Sequence, residues 1–219
     1  MTKTELQPLT AFIVRRAART VLLLRHPFGG IQFPAGLVEA GEAPEAAALR
    51  VAAGQTGLEG LGWAGPAGGT VEEVVGAGWL VARTTPVFFR PDARSHSWAI
   101  LRRGVAVTSE REDGDFVQIT YEEADRASSP QFLTARITGW APRDALTKVQ
   151  RRHFFVLPFE GGTPAAWAVS NGRDEHALFW AGIDQLPTLM PPQDQWVPYL
   201  AAATGGAPLL SAMMGQAAA

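Results

Sequence analysis

The sequence contains no cysteine. The chain can therefore form no disulfide, no thiolate zinc site and no cysteine nucleophile, and it is compatible with a reducing compartment. Long apolar runs are missing too, since none approaches the about 20 residues that a membrane-spanning helix needs. The first residues, Met1 to Pro8, do not have the pattern of a signal peptide. We therefore expect a cytoplasmic protein.

A charge excess is also absent. The chain has 19 Lys and Arg against 21 Asp and Glu, which gives a formal net charge of -2. Such a balance supplies no overall basic field, so neither nucleic acid nor a membrane is an expected partner. Hydrophobic residues make up 47% of the 219 residues, which is enough to form the core of one large domain or two small ones.

The most informative stretch is a set of residues at fixed spacing: Gly36, Glu42, Arg50 and Gly57, the last followed by Leu58. An apolar run and the segment Gln-Phe-Pro-Ala lead into Gly36. This pattern resembles the Nudix box, and the resemblance extends over about residues 8–72 and 148–200. It implies an α+β fold, the Nudix-type α/β/α sandwich with a mixed sheet. The activity it implies is hydrolysis of a nucleoside diphosphate linked to another group, with Mg or Mn as cofactor.

Three positions depart from the family pattern. The family places carboxylates one, four and five residues after the box arginine, and Val51, Gly54 and Gln55 stand there in this chain. Pyrophosphate hydrolysis needs divalent cations to neutralise charge, and magnesium prefers hard oxygen ligands. Valine and glycine offer none, and glutamine offers one neutral oxygen. We therefore expect no metal on this helix face.

The remaining carboxylates near the box are the candidate catalytic groups. Glu39, Glu42 and Glu175 could together hold a cation if the chain is active. Each has a structural alternative. The resemblance implies that Glu42 pairs with Arg50 and fixes the loop on the helix. Glu39 and Glu175 would be solvated loop charges. Glu45 suits the positive end of the helix dipole.

Candidate ligand-binding groups are basic. Arg50, Arg151, Arg152 and His153 could contact the phosphates of a ligand. A solvated strand edge is the favoured alternative for Arg151 and Arg152, and an ordinary packed or exposed side chain is the alternative for His153. His176 lies beside Glu175, and no metal-ligand spacing links the two histidines.

The element pattern fits this fold in outline. Two strands precede the box, and a helix is predicted over residues 44–56, with Pro44 in its first turn and Gly57 as its C-cap. Gly54 should weaken its last turn by about 1 kcal/mol relative to alanine. Residues 60–69 read as a loop and residues 70–78 as a strand. The last helix is predicted within residues 191–203.

Residues 79–147 have a different character. Six short strand patterns with turn signals follow one another closely, which is typical of an all-β domain. The order of these segments resembles bacterial Src-homology-3-like domains. The predicted organisation is a discontinuous Nudix-like domain, residues 1–78 and 148–203, interrupted by a small β-barrel, with a flexible tail at 204–219. Trp98 and Trp140 could line a peptide-binding groove on the barrel.

Three functional hypotheses remain open. The chain could be a Nudix scaffold that has lost or altered its pyrophosphohydrolase activity and binds a nucleotide-like ligand or a protein. It could be an active metal-dependent hydrolase with unusual ligands. It could also act mainly through a protein or peptide bound at the barrel. A homodimer is expected from the family resemblance alone.

Overall fold

The computed structural model describes residues 5–27, 29–63, 65–125, 132–170 and 175–205. The chain divides into two compact units. One combines the residues up to Pro8 with Thr70–Arg152, and the other combines Leu9–Gly69 with the residues from His153 onward. The regular elements of the described chain are β1 (Pro8–Arg15), β2 (Thr20–His26), β3 (Gly30–Gln32), β4 (Ala35–Leu37), α1 (Pro44–Thr56), β5 (Gly65–Glu73), β6 (Gly78–Val81), β7 (Thr85–Phe88), β8 (Ser97–Leu101), β9 (Ala106–Asp113), β10 (Phe116–Asp125), β11 (Phe132–Pro142), β12 (Leu146–Thr147), β13 (Val149–Pro158), β14 (Ala166–Ser170), β15 (Glu175–Gly182) and α2 (Val197–Ala203).

A mixed eight-stranded sheet carries the box. Its strand order is β14-β15-β2-β1-β13-β5, with β3 paired to β2 and β4 to β1. Strand β1 runs parallel to β13, with Phe12 opposite Val156, and antiparallel to β2. The α+β fold expected from the family resemblance is therefore present in this part of the chain.

The alternation of side chains along β1 builds a core on each face of this sheet. Phe12 and Val14 pack with Phe154 and with Leu200 of α2. Ala11 and Ile13 point to the other face and pack with Leu22 and Leu157, and with Ala52 of α1, in a second cluster. The two helices thus cover opposite faces of the sheet, which gives the unit its layered arrangement.

The helix of the box forms where the sequence predicts it. Helix α1 runs from Pro44 to Thr56, with proline in the first turn and Glu45 as the acidic residue there. Gly57 has a φ of 68°, and its N–H donates to the carbonyl of Ala53. Glycine adopts this left-handed conformation at little cost, so the predicted C-cap is confirmed.

Several predicted boundaries are wrong. Strand β5 begins at Gly65 and ends at Glu73, so part of the predicted 60–69 loop is a strand and the predicted 70–78 strand is shorter. Glycine-rich sequence has a low strand propensity, but pairing within a sheet overrides it. Strand β14 has no counterpart in the prediction.

The C-terminal helix lies within the predicted range, residues 191–203. Helix α2 runs from Val197 to Ala203 and follows a 3₁₀ turn at Gln193–Trp196. Most of the predicted tail, residues 206–219, lies outside the described residues.

The other unit contains a seven-stranded antiparallel sheet in the order β12-β6-β9-β10-β11-β7-β8. Val87, Val117 and Ile119 are fully buried in its separate core. Each of the six strand patterns that the sequence shows between residues 79 and 147 corresponds to one of these strands. The predicted boundaries of the insertion lie inside this unit, and its Src-homology-3-like class stays a prediction.

Over the described residues, no helix combines the length and apolar character required to cross a membrane.

Candidate functional site

The loop before α1 is held by an ion pair within the box. The Arg50 guanidinium donates through Nε and Nη2 to the two carboxylate oxygens of Glu42, at 2.8 and 2.7 Å. Nη2 also donates to the carbonyl of Leu37 in β4. The backbone N–H of Glu39 donates to Glu42 Oε2 at 2.9 Å. The structural alternative for Glu42 is therefore confirmed: this carboxylate joins the loop to the helix.

These contacts shift the pKa values of both partners. The hydrogen bonds from Arg50, and then the one from the Glu39 N–H, lower the pKa of the Glu42 carboxyl from 4.5 to about 2. The hydrogen bond to Glu42 likewise raises the pKa of Arg50. Glu42 is thus held in its charged form and its oxygens are used by the loop.

Val51 belongs to the hydrophobic core. It is 7% exposed and packs in a cluster with Leu9, Ala47 and Phe155. A Cβ placed on Gly36 would lie 2.7 Å from Val51 Cγ2, so the glycine gives the valine the space to pack against β4. A side chain at position 51 in this orientation faces the interior rather than a ligand.

Gln55 binds the backbone of β4. Its Oε1 accepts a hydrogen bond from the Ala35 N–H at 3.1 Å, and its Nε2 donates to the Ala35 carbonyl at 2.7 Å. A carboxylate could make only the first of these bonds, because an ionised carboxylate has no donor. We call this pair of hydrogen bonds the Gln55 clasp.

The third position, Gly54, leaves the helix surface without a side chain. Gly54 is exposed, and a Cβ built on it would meet nothing within 4 Å. Positions 51, 54 and 55 therefore do not fit the hard oxygen ligands that a magnesium or manganese ion requires. In the described part of the chain, no group of three or more His, Asp or Glu side chains could hold a metal ion.

The candidate catalytic carboxylates lie in different surroundings. Glu39 is exposed on the loop, and its backbone N–H donates a hydrogen bond to the Glu42 carboxylate. Glu175 is the exposed first residue of β15, opposite Ser170 of β14. The three carboxylates are not gathered into a metal-holding group among the described residues. Their catalytic roles stay predictions.

The candidate basic residues are in contact with the protein itself. Arg50 is bound to Glu42, and Arg151 pairs with Glu5 at 3.0 Å. Arg152 is half-buried, and burial lowers the pKa of its guanidinium while the nearby Glu72 carboxylate opposes this shift. His153 stacks on Phe155 with ring centroids 6.0 Å apart. Ligand binding by these residues also stays a prediction.

Sequence reasoning missed three features of this unit. It read Gln55 as a weak metal ligand rather than a clasp. It gave no role to the buried Gln193, whose Oε1 accepts a hydrogen bond from the Phe33 N–H. It also did not foresee that His26 and His176 would face each other, with centroids 5.1 Å apart. Residues so distant along the chain show no local signal that could have linked them.

Comparison with known families agrees with this architecture. A family model described as the NUDIX domain matches residues 6–131, which include the whole box and α1. The chain belongs to the Nudix family. A comparison with curated proteins finds no significant match. As a Nudix protein the chain has a hydrolase-like fold, and Gly36, Glu42, Arg50 and Gly57 have the roles in the box that shape its loop and helix.

Two open clefts lie in the unit that carries the Nudix box. One, of about 300 Å³, is bordered by Arg16, Arg19 and Thr204. The other, of about 510 Å³, follows residues 183–189 and reaches Val197. Arg19 in the first cleft is paired with Asp184 at 2.9 Å. The box residues line neither cleft.

Proposed function

We propose that this Nudix protein binds a nucleotide-like phosphorylated ligand and has lost metal-dependent pyrophosphate hydrolysis at its box. The Gln55 clasp carries the proposal. It places a neutral amide on the backbone of β4 where the family has a carboxylate, and it uses both polar atoms of that amide. A cation bound there would have to compete with the Ala35 N–H for a single uncharged oxygen.

The surroundings of the clasp support the same conclusion. Val51 is packed in the core beneath Gly36, and Gly54 has no side chain. Glu42, the carboxylate of the box, is paired with Arg50. Attack on a pyrophosphate places charge on oxygens that a metal must stabilise. The box helix therefore still fixes the shape of the loop, but positions 51, 54 and 55 offer no charged oxygen that could hold a cation and offset that charge.

Ligand binding is the function that this geometry leaves available. A preformed loop and helix held by Glu42–Arg50 need no metal to keep their shape. The phosphates of a ligand would be met by guanidinium groups, and from the predicted set we take Arg152, which is half-buried near the Glu72 carboxylate. Phosphate recognition by arginine uses its fixed fork of donors.

The test combines binding and turnover on the full chain. Thermal unfolding is followed with ADP-ribose, a nucleotide sugar and a dinucleoside polyphosphate, each with magnesium, with manganese and with EDTA. We expect at least one compound to raise Tm equally under all three conditions. A ligand that binds the folded state and not the unfolded chain stabilises the folded state. Release of phosphate or a mononucleotide should stay at the background level.

Two variants make the result decisive. Arg152→Gln should reduce the ligand-induced rise in Tm, whereas Arg136→Gln, an exposed arginine paired with Glu122, should not. Turnover that requires magnesium or manganese and is lost in Glu39→Gln or Glu175→Gln would refute the proposal. That result would instead establish an active hydrolase with unusual ligands.

A further inference from the structure

An exposed row of aromatic rings lies at the edge of the seven-stranded sheet. Phe89 follows β7, and its ring stacks with those of His96 and Trp98, with centroids 5.8 and 5.9 Å apart and interplanar angles of 18° and 27°. Phe89 is 62% exposed and Trp98 41% exposed. Large aromatic side chains with this much exposure lose the free energy of burial, so a row of them points to a bound partner.

The backbone beneath this row is built to hold it. A Cβ placed on Gly139 of β11 would lie 2.6 Å from Val87 Cγ1, 2.9 Å from the Phe88 carbonyl oxygen and 3.3 Å from the Trp98 indole nitrogen. The glycine therefore allows β7 and the indole to lie close to β11. Asp92 Oδ1 accepts a hydrogen bond from the Arg94 N–H, and Ser95 Oγ accepts one from the Arg90 N–H. The loop that carries Phe89 and His96 is therefore ordered by its own polar side chains.

Basic side chains lie beside the rings. Residues 83–111 contain six arginines and two carboxylates, and the next segment, residues 112–115, adds three carboxylates. Arg90 and Arg94 are exposed in the loop between β7 and β8. Within the described part of the chain, neither guanidinium forms an ion pair. The overall charge, which argued against nucleic acid, thus conceals a basic segment.

An open cleft of about 330 Å³ adjoins the row, bordered by Phe89, Arg90, Pro91 and Trp140 together with residues 111–113. Trp140 is 4% exposed and its ring is covered by the Arg111 guanidinium at 5.0 Å. The Glu112 carboxylate is paired with Arg143. Asp113 contributes the remaining negative charge of the cleft, and Arg90 faces the same space.

We propose that this face, defined as Phe89, His96 and Trp98 with Arg90 and Arg94, binds single-stranded nucleic acid. Exposed rings stack on unpaired bases whatever their sequence, and flanking arginines contact the phosphates. A base-paired duplex hides its base faces and would bind less well. A proline-rich peptide could use the rings but would gain nothing from the unpaired arginines, so charge complementarity favours the nucleic acid.

The experiment uses the full chain and a fluorescein-labelled, single-stranded oligothymidylate, with binding followed by fluorescence anisotropy. We expect saturable binding that weakens as NaCl rises, and weaker binding to a duplex of mixed sequence. Phe89→Ala and Trp98→Ala should each raise Kd by about tenfold. The double variant Arg90→Gln/Arg94→Gln should reduce the slope of log K against log salt by about 1.4.

Matched variants exclude a general effect. Phe132→Ala removes a ring that is 56% exposed elsewhere in this sheet, and Arg136→Gln removes a paired surface arginine; both should leave Kd unchanged. Circular dichroism and thermal unfolding must show that the Phe89 and Trp98 variants fold. If thermal unfolding shows that Trp98→Ala does not fold, Phe89→Ala and the arginine double variant carry the test.

Four outcomes would overturn the proposal. The first three are the absence of saturable binding, equal affinity for the duplex, and an affinity that Phe89→Ala does not change. The fourth is complete competition by free thymidine monophosphate, added at the same concentration as an unlabelled competing strand. The last would assign the face to a single nucleotide. Binding of a proline-rich peptide that depends on Phe89, in the absence of oligothymidylate binding, would assign the face to a peptide.

Discussion

At the residue scale, three positions of one helix face meet three different surroundings. Val51 is packed in the interior, Gly54 borders open space and Gln55 is bonded to the backbone of β4. None of these surroundings provides a charged oxygen. The one carboxylate that remains central to the box, Glu42, is bound by Arg50 and by the Glu39 N–H. The polar groups of the box therefore act on the protein itself.

Glu42 should make the stability of the box depend on pH. Its pKa is about 2 in the folded chain and 4.5 in the reference state. Because the folded-state pKa is the lower one, the contribution of Glu42 is fully present above about pH 4.5 and is lost as the pH falls toward 2. We expect Glu42→Gln to destabilise the chain at pH 7 and to match the wild type increasingly as the pH falls. Denaturant midpoints measured from pH 7 to pH 3 give both curves.

Glu45→Gln is the matched control, since Glu45 is exposed in the first turn of α1. Its effect should be small at all these pH values. If the loss of stability caused by Glu42→Gln stays constant down to pH 3, the lost charge is not its cause.

Sequence reasoning identified some of these side chains correctly and others not. The Glu42–Arg50 pair was predicted from the resemblance to the Nudix box, which implies that these two positions pair. The Gln55 clasp depends on where β4 lies relative to the last turn of α1, and a sequence does not show that distance. The candidate carboxylate Glu175 comes from a strand distant in the chain, and its place relative to the box could not be read locally either.

At the element scale, α1 combines a close contact with a weak point. Gly36 is needed because Val51 occupies the space where a Cβ would be. Gly54 meets no such constraint and exposes helix backbone. Glycine is thus required by packing at position 36, whereas at position 54 it lowers the stability of the helix.

This contrast gives a paired prediction. Gly54→Ala should raise the free energy of unfolding by about 0.5–1 kcal/mol, because alanine has a higher helix propensity and the added methyl meets nothing. Gly36→Ala should lower it by about 1–3 kcal/mol through overpacking against Val51. Urea unfolding measures both changes.

The double variant Gly36→Ala/Val51→Ala tests the cause. If the steric conflict with Val51 is responsible, the double variant should be more stable than the sum of the two single changes predicts. Strict additivity would mean that Gly36 is required for some other reason.

The success of element prediction followed the strength of local signals. Helix α1 has proline at its start and glycine at its end, and the predicted bounds 44–56 are those observed. Strand β8, Ser97–Leu101, corresponds to one of the six strand patterns predicted within residues 79–147. Strand β5 has a glycine-rich start that carries no strand signal, and pairing in the sheet decided its boundary. Helix α2 lies within the predicted residues 191–203 but begins only at Val197.

At the scale of the whole molecule, the chain has separate hydrophobic cores in its two units. Leu22 is fully buried in a cluster with Ile13 and Leu157. Ile119 is fully buried in a different cluster with Val87 and Val117. Charge is also uneven, since residues 83–111 are basic within a slightly acidic chain.

Separate cores should respond separately to damage. Leu22→Ala and Ile119→Ala should each cost about 2–5 kcal/mol in the unit that holds the residue. Hydrogen exchange followed by mass spectrometry should show faster exchange mainly within residues 9–69 and from residue 153 onward for the first variant. It should show faster exchange mainly within residues 70–152 for the second. Equal acceleration throughout the chain for either variant would show that the two cores unfold as one cooperative unit.

The Gln55 clasp also constrains how this box could change over evolution. A glutamate at position 55 would strip the Ala35 carbonyl of its donor, and a glutamate at position 51 would place a charge in the core. A glutamate at position 54 alone would be tolerated but would bring a single ligand. Each single substitution toward a cation site is therefore expected either to disturb the packing of the box or to add only one ligand.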